Sequence, residues 1–358
     1  MIEGCPVAAG PRNSLFIDEC HQVWGCGNNI FLPTGPKFVQ DFVTVDAPVE
    51  TCVVSVGGSH ILFLNANGEV WSCGGHNDFF QLGYEEQEWD TLCVKQIENI
   101  PKIQAVSASY DNHSLLLDVD GLVWVCGNNR YGQLGLADCT LVWQPRNLGN
   151  LPPIKGIATG RMHSVFLGED GTVWGCGNNI NGQLGLPNIR TNTAKPQKIE
   201  NLPSIRSICC GINKTMFLAE DGSVWETGEH TSYNVPQLLE KVCNIESIAI
   251  GWEHSLLLDY GGSVWGCGSN KNKAMPLNHS RPRIFQPEKL DVPACLRVAA
   301  GYNSLFVDTD NSLWSCGENS GWRSAVCSPE LKKIANIPKL ARGNFQTKLA
   351  VKSARKIC

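Results

Sequence analysis

Residues 160–186 read GRMHSVFLGEDGTVWGCGNNINGQLGL. A Gly-x-x-His-Ser opening leads into an apolar run, an Asp-Gly pair, a second apolar run with Trp174, and an Asn-x-x-Gly-Gln-Leu-Gly close. Degraded copies recur along the chain, and self-similarity at such a period marks a repeat architecture. The unit aliphatic-Trp-x-x-Gly occurs seven times, at Trp24, Trp71, Trp124, Trp174, Trp225, Trp265 and Trp314, with spacings of 47, 53, 50, 51, 40 and 49 residues. Eleven residues before each Trp stands Asn13, His60, His113, His163, Lys214, His254 or Asn303. A constant spacing within the unit and a variable one between units predict a fixed hairpin joined by variable loops.

Three residues before the Trp stands Gly68, Gly121, Gly171, Gly222 or Gly262, with His21 and Asn311 in the outer copies. The preceding Asn67, Asp120, Asp170 and Asp221 make Asx-Gly pairs, which predict a type I′ turn with positive φ at both central residues. The flanking runs are apolar on both faces, as in sheets packed on both sides. Along Val-Trp-x-Cys, Trp and Cys share a face by the two-residue period, so the Trp is expected to pack on the neighbouring sheet. Each unit also carries two weaker strands, such as residues 155–159 and the segment around Pro196. Four short strands repeated seven times predict an all-β, seven-bladed β-propeller of four-stranded antiparallel blades. Residues 341–351 repeat the strand that precedes the Asx-Gly turn, which makes eight copies of it against seven of the Trp strand. The ring is therefore expected to close by pairing of N- and C-terminal segments. Residues 1–351 are expected to form the single propeller and residues 352–358 a short basic tail.

Composition bounds the function. The chain has 358 residues, 42% of them hydrophobic, enough for a sizeable core. It shows neither a signal-peptide pattern nor a run of about 18 apolar residues, so no transmembrane segment is expected and the location is read as cytoplasmic and/or nuclear. Of 17 cysteines, Cys26, Cys73, Cys126, Cys176, Cys267 and Cys316 hold equivalent repeat positions. In stacked sheets such positions lie about 10 Å apart, beyond the roughly 7 Å a disulfide spans, so they read as buried thiols in a reducing compartment. With no Cys-x-x-Cys pair, no metal and no cofactor is expected. The net charge of −5 divides into +7 over the last thirty residues and −12 before them. Nucleosome or nucleic-acid binding is not supported by that balance. The body suits a protein partner, and the tail suits weak contact with an anionic surface.

The strings GNNRYGQLGL (127–136) and GNNINGQLGL (177–186), with GRMHS, GWEHS and VW-x-CG, resemble the regulator-of-chromosome-condensation (RCC1-like) repeat family over residues 7–351. The resemblance implies a seven-bladed propeller that acts as a protein-interaction domain. It further implies regulation of a small GTPase of the Ran type, as guanine-nucleotide exchange factor or binding partner. The alternative within the family is a non-catalytic adaptor or scaffold recognising a ubiquitin-pathway, chromatin or host target. Exchange factors of this type insert a wedge from one blade, and the insertion at residues 75–100 is the longest candidate. No catalytic motif of the family carries over, and exchange would need no active-site chemistry from the chain itself.

The His-Ser pairs 113/114, 163/164 and 254/255 sit in equivalent blades, so they read as ties between strands rather than as hydrolase parts. The glycine-rich stretches lack the Gly-Lys-Ser/Thr ending of a phosphate loop. Function is expected where the frame is constant and its contents vary: the loop leading into the His position. Arg12, His60, Asp111, Arg161, Met162, Lys214, Trp252, Glu253 and Tyr302 would form a partner-binding ring face, on which some could instead plug the channel. Trp89, Trp143 and Trp322 lie outside the repeat frame and are candidate loop anchors.

Overall fold

In blade 4, Ile154–Thr159, His163–Gly168, Val173–Gly177 and Thr193–Ile199 pair antiparallel in sequence order. The computed structural model describes residues 6–28, 38–85, 93–187, 189, 191–229, 234–317 and 328–341, and these hold seven such four-stranded sheets and no helix. We number the blades 1–7 after their tryptophans. The innermost strand of each blade touches that of the next, and blade 7 meets blade 1, so the sheets close into a ring.

The Asx-Gly turn differs from its expected type. In blade 3 the last hairpin pair is Leu117 with Val123, the Asp118 amide donates to Leu122 O at 3.0 Å, and the Gly121 amide donates to Asp118 O at 3.2 Å. Gly121 has φ +80°, whereas Asp120 stays at negative φ. This is a three-residue loop, a type I turn closed by one left-handed residue, not type I′. His21 and Asn311, at φ 61° and 63°, hold the same place in the outer blades. In blade 3 a carboxylate upstream of the turn braces it. Asp118 Oδ1 accepts the amides of Asp120 (3.0 Å) and Leu122 (2.8 Å), while Oδ2 accepts the Trp124 indole N–H at 2.8 Å. One buried side chain thus braces the turn and holds the indole N–H of the repeat Trp. Blades 4 and 5 have Gly168 and Ala219 there, and the link passes instead through Asp170 to Thr172 and Asp221 to Ser223.

Trp174 packs against a buried cluster drawn largely from blade 3, Leu115, Leu117 and Leu134 among its members, as the strand pattern predicts. Burying such aromatic faces between blades supplies much of the inter-blade stabilisation, at about 25 cal/mol per Å². The cysteines among the described residues are free thiols.

The chain ends meet in blade 1. Leu340 pairs with Asp18, the Glu19 amide donates to Lys339 O at 3.0 Å, and the Ala341 amide donates to Ile17 O at 2.9 Å. Leu340 thereby takes the position that Ile103 holds opposite Asp118 in blade 3, and Val7–Ala9 completes the innermost strand. Buried Leu340 sits with Val7, Phe16 and Leu305, sealing blade 7 to blade 1. The additional strand expected at 341–351 and the basic tail lie almost wholly outside the described residues.

Candidate functional site: the channel mouth

The recurring polar residues join blade to blade. His163 Nε2 lies 3.0 Å from Thr215 Oγ1 of blade 5, and that hydroxyl donates to Gln183 O at 2.7 Å. Since the hydroxyl proton is committed to Gln183, the imidazole is the donor through Nε2–H. The same clasp joins His60, Ser114 and Gln81 (2.8 and 2.7 Å), then His113, Ser164 and Gln133 (3.1 and 2.6 Å). His254 reaches Ser304 at 2.8 Å. The accepting carbonyls belong to the Gln-Leu-Gly loops. In blade 3, Asn129 folds that loop by accepting the Leu134 amide (2.8 Å) and donating to Leu136 O (2.6 Å) and Cys139 O (2.7 Å). Burial lowers the pKa of His60, His113 and His163 to about 3 and that of His254 to about 4, so all four are neutral in the fold. Burial also pushes the thiols of Cys73, Cys126 and Cys316 up to about 12. His60, expected on the ring face, is instead wholly buried in this clasp. Its Nε2 is held 2.8 Å from Ser114 Oγ of the next blade, inside the seam.

The rim is built one residue after a small residue that ends the innermost strand. Gly58, Arg161, Trp252 and Tyr302 donate their amides to the carbonyls of Ser109, Gly211, Gly301 and Gly10 in the next blade, at 3.0, 3.2, 2.8 and 3.2 Å. Glycine is required before Arg161, because a Cβ on Gly160 would lie 2.0 Å from His163 Cε1 and 2.7 Å from Gly211 O. This belt of main-chain bonds frames a cavity of about 430 Å³ to which every blade except blade 5 contributes. Trp252 of blade 6 reaches across the channel to Tyr110 of blade 3, edge to face at 5.7 Å, and leans on Tyr302 at 5.3 Å. These three rings give the cavity an aromatic lining. Arg12, Ser59, His76, Asp111, Asn112 and Arg161 line it with them. Arg161 Nε is 3.9 Å from Asp111 Oδ2, with about half of its side chain exposed. Desolvation raises the Asp111 pKa, and the Arg161 charge only partly offsets that.

Of the sequence-predicted ring-face residues, Arg12, Asp111, Arg161, Trp252 and Tyr302 come together here. Lys214 does not line the cavity; it forms an ion pair with Glu226. Met162 is half-buried with its sulfur 3.9 Å from Asn178 Nδ2, and Glu253 is exposed beside the cavity rather than in it. Trp143 is 47% exposed on the outermost strand Leu141–Asn147 of blade 3, away from the mouth. Trp89 and Trp322 lie outside the described residues. Tyr110 was not anticipated, because counting back from the His position skips it. Blade 3 has one extra residue in this loop, absorbed by Asn112 at φ +58°. Counted forward from the end of the innermost strand, Tyr110 aligns with Arg161, Trp252 and Tyr302, and that register would have found it.

The Regulator of chromosome condensation (RCC1) repeat matches residues 120–167 and 170–218, and a second description of the same repeat matches 52–81, 103–133, 154–183 and 245–273. Three of these segments, 52–81, 103–133 and 154–183, end on Gln81, Gln133 and Gln183, whose carbonyls accept the next blade's hydroxyl. An RCC1 repeat-containing protein of Schizosaccharomyces pombe is 41% identical over 61 residues, which are 17% of this chain and 17% of that protein. Human WBSCR16 superposes with a TM-score of 0.75 at 22% identity, over 84% of this chain and 85% of that one. Saccharomyces cerevisiae Prp20p, whose structure was described with its binding properties to Gsp1p and histones, gives 0.75 at 23% identity over 92% and 87%. At those identities the likeness is one of fold. Repeat matches, seven four-stranded blades and the His–hydroxyl–Gln clasps agree: the chain is an RCC1-like repeat propeller.

Proposed function

We propose that this propeller is a protein-recognition domain that docks its partner on the channel mouth. The partner class we assign is a small GTPase of the Ran type, met in the cytoplasm or nucleus and regulated by nucleotide exchange. One observation carries the reading. The recurring His, Ser and Asp side chains are used in internal clasps and turns, whereas the mouth presents a different side chain from almost every blade on a belt of main-chain bonds. A rigid frame with variable, partly aromatic contents suits protein recognition. Exchange needs no nucleophile or general acid; the propeller would bind the nucleotide-free GTPase more tightly than the GDP-bound form and so shift that equilibrium. The relation of Prp20p to Gsp1p supports the choice of partner class.

The test is release of a fluorescent GDP analogue from a panel of small GTPases, Ran included, with and without the propeller. Acceleration with at least one member is expected. No acceleration with any member refutes exchange and leaves the adaptor reading.

A further inference from the structure

Two larger cavities, of about 900 and 580 Å³, lie on the outer side between blades 6 and 7 and between blades 3 and 4. Each draws on two blades and mixed charges. The mouth is different, because its donors converge. Arg161 holds its guanidinium 3.9 Å from Asp111, beyond hydrogen-bond reach, and among the described residues no acceptor hydrogen-bonds that side chain. Asn112 has its amide oxygen taken by Ser59 Oγ at 2.5 Å, which leaves the Nδ2–H edge to donate. Both line the same cavity as the rings of Tyr110, Trp252 and Tyr302.

We propose that the channel mouth takes the side-chain carboxylate of a single Asp or Glu presented by the protein partner, with Arg161 and Asn112 as donors. This rests on the mouth being the docking face. A carboxylate presents two acceptor oxygens to a planar guanidinium fork, and a charge-assisted pair of that kind is among the stronger hydrogen bonds. Asp111 decides the charge class. Arg12 and Arg161 with that one carboxylate leave the mouth one positive charge, which a monoanion neutralises, whereas a dianionic phosphate would leave it net negative and meet Asp111 at close range. The aromatic lining receives the aliphatic stem of the acid and its flanking residues, as an aromatic anchor site does.

The test measures anisotropy of a labelled peptide alternating glutamate and glycine, against matched glutamine and lysine peptides, with folding of each variant checked by thermal melting. The glutamate peptide should bind, and a few millimolar inorganic phosphate should not displace it. Arg161→Gln should weaken binding about tenfold, the loss expected for one charge-assisted pair. Asp111→Asn should strengthen it, and Arg146→Gln, on the outer side of the ring, should leave it unchanged. Opposite signs with tighter binding of the lysine peptide would reveal a cation site and overturn the assignment. Displacement by phosphate would also overturn it, in favour of a phosphate site. If Arg161→Gln with Trp252→Ala abolishes nucleotide release while glutamate-peptide binding is unaffected, the carboxylate assignment fails and the docking face stands. If the pair changes neither, both fail.

Discussion

Acid should loosen this ring well before ordinary carboxylates titrate. His60, His113 and His163 have an ordinary pKa of 6.5 that falls to about 3 in the fold, and His254 falls to about 4, in each case through burial. The unfolded chain therefore binds protons that the folded chain refuses. Stability is full above pH 6.5 and is lost as pH falls from 6.5 towards 3. At pH 5 each histidine is nearly all protonated when unfolded and nearly all neutral when folded, a loss of about 2 kcal/mol apiece. Four of them remove roughly 8 kcal/mol, the size of a typical whole-domain stability of about 5–15 kcal/mol. Urea unfolding followed by tryptophan fluorescence at pH 7.5, 6 and 5 should show the midpoint falling steeply. His163→Asn provides the control, since Asn13 and Asn303 stand at the equivalent position in blades 1 and 7. It should cost about 1–2 kcal/mol at pH 7.5 through the weakened clasp and flatten the pH dependence. Variant and parent should therefore converge near pH 5. Equal pH slopes in both proteins, or a parent midpoint unchanged between pH 7.5 and 5, would refute the buried neutral clasp.

Thr215→Val keeps the shape of the side chain but strands His163 Nε2–H and Gln183 O in a buried seam, and should cost about 2–4 kcal/mol by urea titration. A loss under 0.5 kcal/mol would mean the seam holds by packing alone. Gly177→Ala should destabilise far more than Gly149→Ala. Both have positive φ, but the new Cβ at 177 would lie 2.5 Å from Met162 O and 2.7 Å from His163 Cα, while at 149 nothing lies within 4 Å. The second variant should cost only about 1 kcal/mol of left-handed strain, and comparable melting temperatures for the two would contradict the close approach.

The architecture was legible because its determinants are local and repeated. The eleven-residue spacing from His163 to Trp174 sets the hairpin, and the apolar runs around it reveal sheets buried on both faces. What escaped was anything that depends on a second partner in space. The link from turn to tryptophan runs through the Asp118 carboxylate, which lies upstream of the Asp120-Gly121 pair and also grips Trp124. The burial of His60 turned on Ser114, more than fifty residues away in the next blade. Tyr110 was hidden by one inserted residue that shifts its blade out of register with the others. At the chain ends, Leu340 sits opposite Asp18 at a first-strand position, whereas the eighth copy expected at 341–351 is of the second strand and lies almost wholly outside the described residues.

The mouth and the clasps also differ in what a substitution does to them, and that makes the site testable. A clasp is a side-chain bond, so changing His163 or Thr215 changes the seam itself. The belt at the mouth is main-chain, running from Arg161 N to Gly211 O and from Trp252 N to Gly301 O. Replacing those side chains leaves the amides in place, and the half-exposed Arg161 closes no hydrophobic cluster. Partner binding can therefore change at Arg161 while the melting temperature holds, whereas loss at His163 arrives with unfolding. The same division explains how one frame can carry Arg161, Trp252 and Tyr302 at equivalent positions of different blades: the bond that keeps the ring shut does not read the side chain.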